Sequence, residues 1–292
     1  MNCFSVDVEE YFQCEAFAGR VTVESWPEHP SRLRVGLERL LSLLEAHAVR
    51  ATFFVLGWVA ERDPPLIRSL AQAGHEIASH GYGHRHLSRL TPDAFRDDVA
   101  RSLAILQDCT GRPVLGYRAP TFSIMRSTAW AVDVLIDLGL RYDSSIYPIH
   151  HDRYGVPDAP VAPFWLTTRR GRILEIPPLA ATCGRLHIPV GGGGYLRLLP
   201  VRLIDAAIAR ANRAGRPAMI YVHPWELDPD QPRLPCSRLT RARHYVNLRR
   251  TASKLDRLLC RHRFAPAVDL AEELSQNREL AVWSLESGPP GA

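Results

Sequence analysis

Ile77-Ala78-Ser79-His80-Gly81-Tyr82-Gly83-His84-Arg85-His86 is an apolar run that ends in two histidines four residues apart, with a glycine on either side of Tyr82. Residues 75–79 read as a strand, and His80 and His84 at its end have a metal-ligand spacing. The glycines let the backbone bend tightly enough to aim both imidazoles the same way. With no Glu directly after the first histidine, the pair reads equally as solvated loop histidines. Its meaning rests on what the rest of the chain brings beside it.

Before this stretch, residues 3–8 form a short, partly β-branched apolar strand with an acidic end: Asp7, Glu9 and Glu10. Residues 31–47 repeat Leu33, Leu37, Leu40, Leu41 and Leu44 at helical spacing, with Ser31 as N-cap. The unbroken apolar run 51–55 is a strand buried on both faces. Pro64 and Pro65 open a further helix, which Gly74 closes. After the histidines, Thr91-Pro92-Asp93 opens a helix that runs to about Cys109 and stops at Gly111. Residues 114–117 are a strand ending in Arg118-Ala119-Pro120, 127–138 a helix, and 140–143 another strand. Strand and helix alternate, which implies a parallel sheet with right-handed crossovers, open or closed into a barrel.

From 144 to 200 the alternation fails. Short strands at 173–176 and 187–190 sit among prolines and glycines, an irregular insertion over one face of the sheet. Its run Gly191-Gly192-Gly193-Gly194-Tyr195 lacks the Gly-Lys-Ser/Thr ending of a phosphate loop. It reads either as a flexible turn or as backbone that must approach a ligand closely. Regular order resumes with a helix over 201–214 and a strand over 218–222 that ends in His223-Pro224-Trp225-Glu226. One long arginine-rich helix over 241–261, a strand near 264–268 and a short helix complete a single domain, 1–276. Residues 277–292 read as a flexible tail.

The 292 residues suit one α/β barrel, and 46% hydrophobic with 23% charged residues is an ordinary globular composition. The net charge of +5 is modest, Lys254 is the only lysine, and the arginines are scattered, so nucleic-acid binding is not favoured. Six cysteines without a Cys-x-x-Cys pair predict free thiols in a reducing compartment. The chain opens directly on a core strand, with no charged and apolar leader ahead of it. No apolar run approaches the roughly 18 residues of a membrane helix. The expectation is a cytoplasmic protein without an integral membrane segment.

Taken singly, Asp7 and Glu10 also read as helix caps, Arg118 as the partner of a surface carboxylate, and His223 as a satisfied core histidine. Taken together they fall at the C-terminal ends of four separate parallel strands, and those ends share one rim in barrels and open α/β sheets alike.

With these motifs, in this order, the chain resembles the polysaccharide deacetylases of the NodB-homology type, carbohydrate esterase family four. It is more closely similar to the exopolysaccharide deacetylases associated with exosortase and PEP-CTERM systems. That likeness is carried by Tyr142-Asp143-Ser144-Ser145, Asp152-Arg153-Tyr154-Gly155, the glycine run with Tyr195, His223-Pro224-Trp225-Glu226 and His244-Tyr245-Val246-Asn247. The resemblance implies a distorted (β/α) barrel of about seven parallel strands and metal-dependent N-deacetylation of an amino sugar.

In that scheme Asp7 is the catalytic base, His80 and His84 are metal ligands, and Arg118 steadies the base. The backbone N–H of Thr121, where the family usually has tyrosine, helps bind the oxyanion. His223 protonates the leaving amine, held by Asp143, with Glu226 as second candidate. Gly81 stands where the family has Ser or Thr, and Val8 follows Asp7 where a second, metal-binding Asp is usual. Strand alternation then favours Glu9 as third ligand, with Glu10 as fallback. The implied cofactor is a divalent, Zn²⁺-like ion, and the implied partner an N-acetylated oligo- or polysaccharide, with association with membrane-bound polysaccharide synthesis machinery. Two other readings stay open: a metal-independent amide hydrolase on the same fold, and a non-catalytic glycan-binding or assembly protein.

Overall fold

The computed structural model describes residues 1–184, 186–277 and 279–286. Its first half alternates β1 (Asn2–Val8), α1 (Leu33–Ala46), β2 (Thr52–Val55), α2 (Gly57–Arg62), α3 (Pro64–Gln72), β3 (Glu76–Ser79), α4 (Pro92–Thr110), β4 (Gly116–Tyr117), α5 (Trp130–Asp137) and β5 (Tyr142–Asp143). The insertion carries β6 (Phe164–Thr168), β7 (Gly171–Glu175), β8 (Ala180–Cys183), β9 (Leu186–Pro189) and α6 (Gly193–Leu198). Then come α7 (Val201–Arg213), β10 (Met219–Val222), α8 (Arg238–Tyr245), α9 (Leu248–Arg261), β11 (Phe264–Ala265), α10 (Ala267–Ser275) and β12 (Val282–Trp283).

Parallel neighbours run β10-β1-β2-β3-β4-β5-β7. Past β7, the Leu179 N–H donates to Met219 O at 2.9 Å. Backbone bonding therefore returns to β10, and the sheet curls round on itself. This is a mixed α/β fold with a mostly parallel central sheet. β6 lies antiparallel to β7 with β12 beside it, and β8 and β9 form a separate two-stranded sheet. The strands are buried on both faces because helices cover the outside and side chains fill the inside. α1 contributes Leu33, Leu37, Leu40 and Leu44, each worth about 1.5–3 kcal/mol when fully buried.

Several local expectations change. Ser31 does not cap α1: its hydroxyl donates to Glu10 Oε1, and Glu10 Oε2 accepts the Arg32 N–H at 3.0 Å. Glu10 is thus occupied at a helix start, the cap reading of that residue. The single helix expected over 241–261 is two, parted at Asn247, which takes φ 53° while its side-chain amide donates to Arg197 O at 3.0 Å. The glycine run packs against β10: a Cβ on Gly192 would sit 2.0 Å from Tyr221 O, so neither a floppy turn nor a ligand contact is needed to explain it. The expected tail is partly structured, since β12 pairs with β6 and Leu285 is buried. Residues 287–292 of that stretch lie outside the described residues. All six cysteines are free. No helix among the described residues is long and apolar enough to cross a membrane.

Candidate active site

At the C-terminal rim, β1 delivers Asp7 from within the strand and Glu9 just past its end, where Glu9 N–H turns back to Asp7 O at 3.1 Å. β3 delivers His80, and the turn after it swings His84 back, with φ 48°. The two rings lie 5.3 Å apart between centroids. His80 Nδ1 lies 2.7 Å from Arg118 O. A carbonyl only accepts, so Nδ1 carries the proton and Nε2 keeps its lone pair. Burial pushes the His80 pKa down to about 4, which keeps that ring neutral.

Ligand atoms of Glu9, His80 and His84 lie within 4.8 Å of one another. Glu9 Oε2 and His84 Nε2 are 2.7 Å apart, yet Oε2 is buried with no hydrogen bond of acceptable geometry. A buried carboxylate oxygen set against an imidazole nitrogen, with no hydrogen bond of its own, is a position that a shared cation would satisfy. A carboxylate and two imidazoles are also a donor set of the type that takes Zn²⁺ in catalytic centres with an open position. The three residues therefore fit a divalent metal.

Asp7 and Arg118 sit beside this cluster. Arg118 is completely buried, with Nη1 2.6 Å from Asp7 Oδ1 and 2.9 Å from Ser5 Oγ, and Nη2 2.9 Å from Ser144 Oγ. Its guanidinium carbon lies 4.1 Å from the Phe54 ring centroid. A buried guanidinium so thoroughly bonded holds the Asp7 carboxyl in one orientation. On the other side, His223 Nε2 points in, 3.8 Å from Asp7 Oδ2 and 3.5 Å from Glu9 Oε1. Its Nδ1 lies 2.7 Å from Glu226 Oε1, and Arg197 pairs with the other Glu226 oxygen. Burial works to lower the His223 pKa, but the charge of Glu9, the Glu226 bond and Asp7 outweigh it and bring it to about 9. Burial likewise works to raise Glu9, and the neighbouring His84 and His223 hold it below the usual carboxylate range.

Thr121 follows Arg118 by three residues and takes φ 57° and ψ 24°, with Phe122 at φ 51° beside it. Left-handed geometry is costly for a β-branched residue, so the surroundings hold this turn in place.

Asp143, the first candidate for holding His223, does not meet it. Its Oδ1 accepts from Ser145 Oγ at 2.5 Å, and Ser145 Oγ in turn accepts the Ala119 N–H at 2.8 Å. Asp143 thus braces the turn that carries Arg118 rather than His223. Burial raises its pKa to about 6, and raises that of its neighbour Glu175 well above the ordinary value. Glu226 holds His223 instead, because it lies three residues on in the same short turn.

Sequence reasoning missed Arg197, Ser5 and Ser144 as partners in the site, and missed the role of Trp225. Trp225 lay inside a motif already singled out; Arg197, in α6, carried no signal at all. A separate cleft of about 210 Å³ opens near the start of β3, between Arg50, His75, Glu76 and Asp269. There Arg50 pairs with Asp269, and Glu76 accepts from Thr52 and Tyr142, so its polar groups are already satisfied.

A curled, mostly parallel sheet with a Glu-His-His cluster and a buried Asp-Arg pair at its strand ends defines a (β/α)-barrel-like protein with its candidate site at the rim. Residues 26–142 match the polysaccharide deacetylase family, and residues 144–272 match a domain of unknown function, DUF3473. A peptidoglycan deacetylase of Helicobacter pylori is 31% identical over 40% of this chain and 39% of its own. A chitooligosaccharide deacetylase of Bradyrhizobium sp. is 39% identical over 33% of this chain and 42% of its own. The chain thus spans about two fifths of the length of these curated relatives. A solved structure from Mycobacterium smegmatis, provisionally designated a polysaccharide deacetylase, shares the fold with TM-score 0.66 and 22% identity, over 99% of this chain and 94% of that one.

Proposed function

We propose that this chain removes N-acetyl groups from amino sugars of a bacterial exopolysaccharide or its precursor, beside membrane-bound synthesis machinery and on the cytoplasmic side. The observation that carries the reading is the placement of Glu9, His80 and His84 beside an Arg118-bound Asp7 and an inward-pointing His223. Amide hydrolysis needs a base for the attacking water, a donor to the oxyanion and a proton for a poor leaving amine. All three have a candidate within one rim.

Glu9, His80 and His84 would hold a Zn²⁺-like ion, which when bound supplies carbonyl polarisation and a water of lowered pKa. Asp7 Oδ2 takes the proton of the attacking water, while Arg118 on Oδ1 fixes its direction. The water oxygen joins the acetyl carbon, and the developing oxyanion meets the Thr121 N–H. As the C–N bond breaks, His223 Nε2 gives its proton to the sugar nitrogen, Nδ1 being tied to Glu226. Acetate and a free amine result.

The test is metal analysis together with acetate release from an N-acetylated chitooligosaccharide. Expected are one divalent ion per chain and acetate release, both lost in His80→Ala. Glu9→Gln should lose metal and Glu10→Gln should keep it. Turnover by protein free of metal would support the metal-independent hydrolase instead, and tight glycan binding without acetate would support the non-catalytic reading.

A further inference from the structure

A glutamate at the third ligand position has one more rotatable bond than the aspartate it replaces, so both of its oxygens can wander. Here they do not. Glu9 Oε1 accepts the indole N–H of Trp225 at 3.1 Å and a longer contact from Cys14 Sγ at 3.5 Å. Oε2 is left beside His84 Nε2. The Trp225 ring is itself packed in: it stacks on His223 at 5.1 Å between centroids and 23°, and on His244 at 4.3 Å and 18°. The Arg197 guanidinium carbon lies 4.9 Å from its centroid. A buried indole held by two stacked rings and a guanidinium does not turn its N–H away.

We propose that Trp225 is the positioning residue that makes Glu9 a competent metal ligand: its N–H holds Oε1 so that Oε2 faces the point shared with His80 and His84. The same ring stacks on His223, so one side chain fixes the spacing between the metal-holding carboxylate and the proton donor. The inference rests on the metal-holding reading of Glu9, His80 and His84, and not on the reaction. Without the N–H, Oε1 turns toward His223 Nε2, 3.5 Å away, and the carboxylate is drawn off the ion.

Trp225→Phe removes the N–H and keeps an aromatic face. Titrated with Zn²⁺ against a competing chelator, it should bind about 10- to 100-fold more weakly than wild type, the range for loss of a hydrogen bond to a metal ligand. Its metal-free protein should melt as wild type does. His244→Phe is the control, since it keeps an aromatic ring stacked on Trp225 and touches no ligand; its Zn²⁺ affinity should be unchanged. Unaltered affinity in Trp225→Phe overturns the proposal, as does an equal loss in His244→Phe or a loss that tracks a fall in the metal-free melting temperature. The titration uses no substrate, so its outcome stands apart from whether acetate is released.

Discussion

His223 shows how much of this site is decided atom by atom. Its ring can serve as proton donor only from Nε2, because Nδ1 is bound to Glu226, whose other oxygen is held by Arg197. His223→Ala should leave metal content intact and lower kcat by about 10² or more, the cost of losing an acid used in the transition state. The pH profile separates this role from packing. With a pKa brought to about 9, His223 is in its acid form at neutral pH and loses activity as pH rises through that value. Glu226→Gln removes the negative charge that favours the protonated ring while keeping an oxygen for Nδ1, so its basic limb should move to lower pH. A cation beside Glu9 offsets part of the Glu9 contribution in both proteins, which makes the difference between them the diagnostic. An unmoved limb would mean that Glu226 does not tune His223.

At the scale of elements, the turn that carries His223 is set by how closely α1 approaches it. Gly36 lies in α1 against Pro224, and a Cβ there would fall 2.0 Å from Pro224 O, well inside contact. Any side chain must push the helix or the His223 turn outward. Gly36→Ala should therefore cost about 1–3 kcal/mol, as overpacking does, read from the urea midpoint. It should also lower kcat, because the displaced turn carries His223. Wild-type stability and turnover in this variant would mean that the helix yields freely. The long helix expected over 241–261 belongs to the same scale. Its composition suits one helix, and it breaks at Asn247 because that residue's side chain bonds Arg197 O, which the sequence pattern does not show.

Over the whole molecule, the site depends on both of the segments that match separate families. Residues 26–142 include His80, His84 and Arg118, while His223 and Glu226 come from residues 144–272, which also supply β7 and β10. Those two strands cover the outer edges of β5 and β1. Residues 1–143 expressed alone would expose both edges, and unpaired edges of a buried parallel sheet invite aggregation. The expected result is insoluble protein, or soluble protein with no cooperative unfolding. A soluble fragment with a cooperative melt would show that the first segment is a domain in its own right.

The sequence by itself determined the alternation that makes a parallel sheet, because apolar runs, caps and glycines act within a few residues of one another. It also singled out the strand ends carrying Asp7, His80, Arg118 and His223, since chemistry-bearing residues after buried strands stand out locally. The choice between Glu9 and Glu10 needed the fold. β1 ends at Val8, so alternation alone could not direct Glu9; Trp225 and His84 receive its oxygens, and Ser31 and Arg32 engage Glu10. The partner of His223 was equally out of reach, as Asp143 and Glu226 are both acids near the rim and only the path of the chain shows which one meets Nδ1. Hydrogen bonds between residues more than a hundred positions apart, such as the 2.6 Å contact of Arg118 with Asp7, are fixed by the closing of the sheet, and no local pattern encodes them.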